Sequence, residues 1–286
     1  QQALALLRLI LPKTNAYLGE TIVLELQLLV SSGLRHGDPE VPSLQFDGCT
    51  TGKPTVGVPR QTVIGSKNFK LVPIYIPLTF IKTGNLSFGP IDGSIVVVLP
   101  NPQRRDSFFD PFGMLNQGTQ QRVTLSAPAQ AVVSSPLPNV GKPASFSGAV
   151  GQFQMAVSAS PTNVAVGDPV TIRVQVQGRG ALDAFTLPEQ TTWKEFKTFP
   201  PTVKTDASGE LGLEGTKSFE QVVVPQNAEI KELPAFEFSF FNPETKQYQT
   251  LRQPPMPIIV RPAGATPSPT LALPGNKTED TKPAQD

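Results

Sequence analysis

The chain has 286 residues, enough for about two domains, and a formal charge of only +1. Signs are mixed along it, so no concentrated basic stripe exists for a nucleic-acid partner. One cysteine, Cys49, excludes an intrachain disulfide and a thiolate metal cluster. Prolines number 31, and few windows of helical length escape a Pro or Gly. Short strands joined by turns are therefore expected. No apolar run approaches the ~18 residues of a membrane helix. The chain opens at Gln1 without a starting Met and reads as a mature or trimmed piece of something longer.

In chain order, the run ALALLRLIL near the amino terminus suits a first strand. Residues 15–28 (NAYLGETIVLELQL) then alternate apolar and polar side chains, the period of a half-buried strand. A polar Gly/Pro loop follows at 31–42, then short strands at 43–49 and 60–64. The segment 69–80 is a strand containing Pro73 and Pro77. Proline cannot donate to a ladder, so this strand is expected at an edge or with a bulge. Asp92–Gly93, set between two apolar runs, carries a two-residue hairpin signal.

The pattern then repeats. Residues 163–178 (NVAVGDPVTIRVQVQG) match 15–28 position for position, with Gly19 and Gly167 standing 148 residues apart. A glycine followed by an acid before each strand is turn chemistry. Later landmarks keep nearly that spacing, since Phe88 and Leu233 are 145 apart. Leu125 and Leu251, however, are only 126 apart. The first copy must hold about 19 extra residues, and they fall at 101–121 as a long hairpin insertion. In the second copy 205–215 reads as a polar, Gly-rich excursion, 219–224 and 236–241 as strands, and 242–245 (NPET) as a turn.

The expected fold is all-β: two tandem immunoglobulin-like or fibronectin-like antiparallel β-sandwich domains joined by a short linker. The boundaries are 1–136, a linker at 137–150, 151–262, and a Pro-rich tail at 263–286. The linker composition suggests flexible or polyproline-like chain. The tail is low in complexity and cannot bury a core.

Chemistry is sparse. His36, the single histidine, sits in a Gly/Asp loop without a partner for base or metal work. Nothing basic closely flanks Cys49, so an inert thiol is expected. The carboxylates form no calcium-loop spacing, and no phosphate-binding or nucleophile motif occurs. No cofactor, no metal and no catalysis are expected. The candidate contact residues are aromatic: Phe108, Phe109 and Phe112 in the insertion, and Trp193 within WKEFKTF. For each the competing role is core filling, which dominates the burial of large aromatics. An exposed row of Trp193 and Tyr248 would instead suit a ligand- or carbohydrate-binding module of adhesin type.

Three stretches carry a family resemblance. These are AVGDPVTIRVQVQGRGALDAFTLPE, the segment 193–201, and ELPAFEFSFFNPETKQYQT. Together they resemble the repeat unit of the BatD aerotolerance (oxygen-tolerance) family, and SFFDPFG resembles the Phe/Asp/Pro loop common there. The resemblance implies a bacterial envelope protein, periplasmic or otherwise extracytoplasmic, held by a carboxy-terminal membrane anchor beyond this fragment. It implies protein partners, MoxR-type ATPases and membrane-anchored von Willebrand factor A-domain proteins. It implies no catalytic residues.

Overall fold

A computed structural model describes residues 3–40, 44, 46–100, 118–190, 192–209 and 211–264. Among them there is no α-helix, and the chain is built as β-sandwiches. The first comprises β1 (Ala5–Ile10), β2 (Asn15–Tyr17), β3 (Thr21–Ser31), β4 (Arg35–His36), β5 (Cys49–Thr51), β6 (Thr55–Val56), β7 (Arg60–Ile64), β8 (Lys67–Phe80), β9 (Gly84–Phe88), β10 (Ile91–Leu99), β11 (Thr119–Ala127) and β12 (Gln130–Ser135). One layer runs β1-β3-β8, with β5, β6 and β7 along the far side of β8. The other holds β11-β10-β4 and β2-β12-β9. Alternate residues of β3 (Leu24, Leu26, Leu28) meet Ile76, Phe80, Phe88, Ile95 and Leu125 in one apolar cluster. Leu29, one step along the strand, points to the opposite face and joins Phe69 and Leu71 in a smaller cluster.

The second sandwich comprises β13 (Phe146–Ser160), β14 (Asn163–Ala165), β15 (Val170–Gly180), β16 (Phe196–Thr198), β17 (Thr202–Ser208), β18 (Glu214–Pro225), β19 (Glu232–Leu233), β20 (Phe236–Asn242), β21 (Gln247–Gln253), β22 (Met256–Pro257) and β23 (Ile259–Arg261). Strand β13 serves both layers. Its later part pairs antiparallel with β15, and its start runs parallel to β20. The crossing is made at Gly151, whose φ is +149° and where any Cβ would lie 2.2 Å from the Arg179 carbonyl oxygen. Phe153, Phe185, Phe238 and Phe240 pack together at its core, Phe153 meeting each of the other three edge to face.

The duplication holds at the level of single hydrogen bonds. Gly19 and Gly167 both take positive φ, +81° and +90°. The Gly19 N–H donates to Phe80 O, and the Gly167 N–H to Pro225 O. Each following acid reaches back three residues, so the Tyr17 N–H donates to Glu20 Oε2 at 2.9 Å and the Ala165 N–H to Asp168 Oδ2 at 2.8 Å. The parallel pair Asn15↔Val133 recurs as Asn163↔Ile259. The spacings of 148, 145 and 126 residues read in the sequence are those of equivalent bonding partners.

Some expectations are corrected. Strand β8 is not an edge, because β3 lies on one side and three short strands on the other. Its prolines are accommodated on the broken side, where Gly57 N–H donates to Pro73 O and Gly52 N–H to Pro77 O. In an antiparallel ladder a residue's N and O face the same neighbour, so the missing donors point at the interrupted strands. Asp92–Gly93 makes no hairpin; both lie inside β10, opposite Ser126 and Leu125 of β11. Their pairing partner arrives from beyond the insertion, which no local signal reports. At the open end Leu99 pairs with Thr119, so 120–121 belong to β11. The segment 137–150 is not loose. Phe146 starts β13, Ser145 Oγ meets Ser239 Oγ at 2.6 Å, and the Tyr248 hydroxyl donates to Pro138 O at 2.8 Å.

Candidate functional site

The candidate contact residues have different fates. Phe108, Phe109 and Phe112 lie outside the described residues. Trp193 is only 5% exposed, its ring 5.3 Å from that of buried Phe196, so it fills the core instead of standing on the surface. Phe199, at 40%, is exposed and lies under the Lys197 ammonium. Tyr248 is wedged between Phe146 and Phe241, each centroid 5.1 Å away. The exposed planar row of Trp193 and Tyr248 that a glycan platform needs is therefore not formed.

The reactive groups stand apart from one another. His36 Nδ1 lies 2.9 Å from Gly37 O on the short edge strand β4. Burial and the nearby Asp47 carboxylate push the Cys49 thiol up to about 11, which suppresses the thiolate that nucleophilic chemistry needs. Among the described residues, no three of His, Cys, Asp and Glu come together as a metal site.

One buried charge escaped sequence reading. Lys217 is 6% exposed and its Nζ donates to Leu182 O at 2.8 Å and Phe185 O at 2.7 Å. The ammonium also lies 4.9 Å from the Phe185 ring centroid. Burial pulls its pKa below the ordinary lysine value, and the Asp183 carboxylate opposes that shift. Leu182 and Phe185 are the apolar residues of the GALDAF segment, so the motif encodes a pinned turn. The FNPET turn has a similar basis: Asn242 Oδ1 accepts from the N–H groups of Glu244 and Thr245. Only the alternation of β18 hinted at Lys217, since its position faces inward.

Two surfaces offer themselves for recognition. The first is the edge strand β17, every residue of which is exposed and which pairs only with β18. It flanks a groove of about 710 Å³ that reaches Thr50, Thr51 and Lys53 of the first sandwich. The second is a cleft of about 370 Å³ where the two sandwiches meet, lined by Lys13, Glu20, Val150, Gln152, Arg179 and Glu244. Lys13 pairs with Glu20 there, and Gln152 Nε2 donates to Glu244 Oε2 at 2.6 Å. The groups present are hydrogen-bonding and mixed in charge.

Residues 157–260 match the family model described as BatD DUF11 like domain. No curated protein matches the chain. Among solved structures, the Yersinia pseudotuberculosis adhesin InvE is 11% identical, with 89% of this chain and 58% of that chain aligned and a TM-score of 0.21. The type II cohesin dyad from the adaptor ScaA scaffoldin of Acetivibrio cellulolyticus is 10% identical over 91% of this chain and 97% of that chain, with a TM-score of 0.18. The C-terminal domain of the Streptococcus agalactiae AgI/II polypeptide BspA is 8% identical over 90% and 99%, with a TM-score of 0.15. At such scores the fold rests on the strand pairing itself and not on these likenesses. The family model thus covers the body of the second sandwich, residues 157–260.

Proposed function

We propose that this chain is a non-enzymatic protein-interaction module of the bacterial cell envelope, working in a stress (oxygen) tolerance system. Its partners are MoxR-type ATPases and membrane-anchored von Willebrand factor A-domain proteins. It stands on the periplasmic or extracytoplasmic side, held by a carboxy-terminal anchor outside these residues. The observation that carries this reading is the BatD domain at 157–260. A supporting physical argument is the open edge of β17, because unpaired main-chain groups on an edge accept an added strand.

The test is direct binding between this chain and a purified von Willebrand factor A-domain protein encoded beside it, followed by calorimetry. Saturable binding is expected, and it should be lost when Phe108, Phe109 and Phe112 are replaced by Ser with thermal unfolding unchanged. Absence of binding at the highest soluble concentration would sink the partnership. An equal loss of stability in the triple variant would assign the three rings to the core.

A further inference from the structure

Strand β17 (TVKTDAS) is an edge without the usual protection. Among the described residues it pairs only with β18, and all seven of its residues are exposed. Natural sheet edges are blunted by proline, by bulges or by charges that repel a second strand. β17 has no proline and keeps an unbroken register with β18. Its two charges, Lys204 and Asp206, are opposite in sign and already paired at 2.8 Å.

The main-chain groups that this edge presents follow from β18. Strand β15 occupies one side of β18, so β16 and β17 share the other. The Phe199 N–H, just past β16, donates to Val222 O, while the Gly180 N–H, just past β15, donates to Leu213 O. In an antiparallel ladder the N and O of one residue face the same neighbour, and the side alternates along the strand. Thr216, Ser218 and Glu220 therefore bond toward β17, and their partners there are Asp206, Lys204 and Thr202. The N–H and C=O groups of Val203, Thr205 and Ala207 are left pointing away from the sheet.

We propose that β17 pairs with β17 of a second copy of this chain, antiparallel about a two-fold axis at Thr205. That register sets the outward groups of Thr205 against those of Thr205 in the second copy, and Val203 against Ala207. Lys204 then stands opposite Asp206 of the second copy, and Asp206 opposite Lys204, in an alternating square of charges. A two-fold axis at Lys204 or Asp206 would oppose like charges. One at Val203 or Ala207 would set the charges against the hydroxyls of Thr202 or Ser208. The edge is thus complementary to itself, as an interface between identical surfaces requires. This names a strand for the open edge invoked above, and it does not depend on the envelope partners. A monomer that binds the von Willebrand factor A-domain protein would overturn this inference alone, and a dimer that binds none would overturn only that partnership.

The experiment is sedimentation equilibrium of the whole chain over rising concentration. A reversible monomer–dimer equilibrium is expected. Lys204→Asp and Asp206→Lys each oppose like charges across the axis and should weaken the dimer about tenfold or more. An equimolar mixture of the two variants should dimerise again, and so should the double variant that exchanges the two charges. Thr205→Pro removes an N–H that points away from β18, so it should leave the fold intact while weakening the dimer. A monomer up to the solubility limit, a dimer indifferent to the charge reversals, or a mixture that stays monomeric would each overturn the proposal. Reversed variants that lose the von Willebrand factor A-domain protein, with the parent always monomeric, would assign the edge to that protein and overturn it too.

Discussion

The ring of Tyr17 in β2 meets the ring of Phe241 in β20 edge-on, with centroids 4.9 Å apart and planes at 69°. The contact joins the first sandwich to the second, and it does not stand alone. Phe241 continues to Tyr248, and Tyr248 to Phe146, whose other side lies under the Lys142 ammonium. Beside this ladder the Val150 side chain packs so closely on Gly19 that a Cβ there would sit 3.0 Å away. Composition had suggested a loose tether between the two units. A file of aromatic rings and a pinned strand start take its place.

Removing the first rung should therefore loosen the joint. Tyr17→Ala is expected to cost about 1 kcal/mol, the typical worth of an aromatic pair. It should also broaden the distribution of sandwich orientations seen by small-angle scattering. An unchanged scattering profile would show that the rings touch without holding the units together.

The acid turns make a paired test. Asp168→Ala removes the acceptor for the Ala165 N–H and should cost about 1–2 kcal/mol in urea unfolding. Asp168→Asn keeps a side-chain oxygen at that place and should restore most of the loss. Equal losses in both variants would mean that the carboxylate charge matters, not the bond.

Lys217 donates to two main-chain carbonyls from a buried position. Lys217→Met should destabilise by about 1–3 kcal/mol at neutral pH, because the Leu182 and Phe185 carbonyls lose a buried, charged donor. The folded pKa lies below the unfolded one, so the folded state sheds its proton first. Stability should accordingly rise in the parent, relative to the variant, as pH climbs from the folded value toward the ordinary lysine range. A variant as stable as the parent at pH 7 would overturn this account.

Cys49 titrates in the opposite sense. With its pKa raised from 9.0 to about 11, the thiolate population near pH 8 falls about 100-fold against an ordinary thiol. Alkylation by iodoacetamide should be slower in proportion in the folded protein. The unfolded thiol ionises first, so its contribution to stability is complete below about pH 9 and is lost as pH rises toward 11. Cys49→Ala should lack that alkaline loss. Rapid alkylation of the folded chain would contradict the burial.

The glycan-platform and edge-strand expectations differ instructively from the repeat. Alternation in 15–28 and 163–178 is local information, because one face of each strand meets the core and the other meets water. That requirement writes itself into residues two apart, and β3 and β15 follow from it directly. Strand β17 has no buried face, so no core-facing alternation marks it, and 205–208 read as the start of the polar excursion at 205–215. Among the candidate contacts, nothing in WKEFKTF distinguishes a surface ring from a core ring, and Trp193 went inward.

From the amino acids alone come the duplication, its all-β character, the acid turns and the 19-residue surplus of the first copy. All of these depend on neighbours in the chain or on comparison of one half with the other. Folding in three dimensions decided the rest: which strand flanks β8, where Asp92 pairs, that Lys217 caps a distant turn, and that Tyr17 reaches Phe241. Those outcomes join residues tens to hundreds of positions apart. They arise because buried carbonyls need donors and large rings need partners, wherever along the chain these are found.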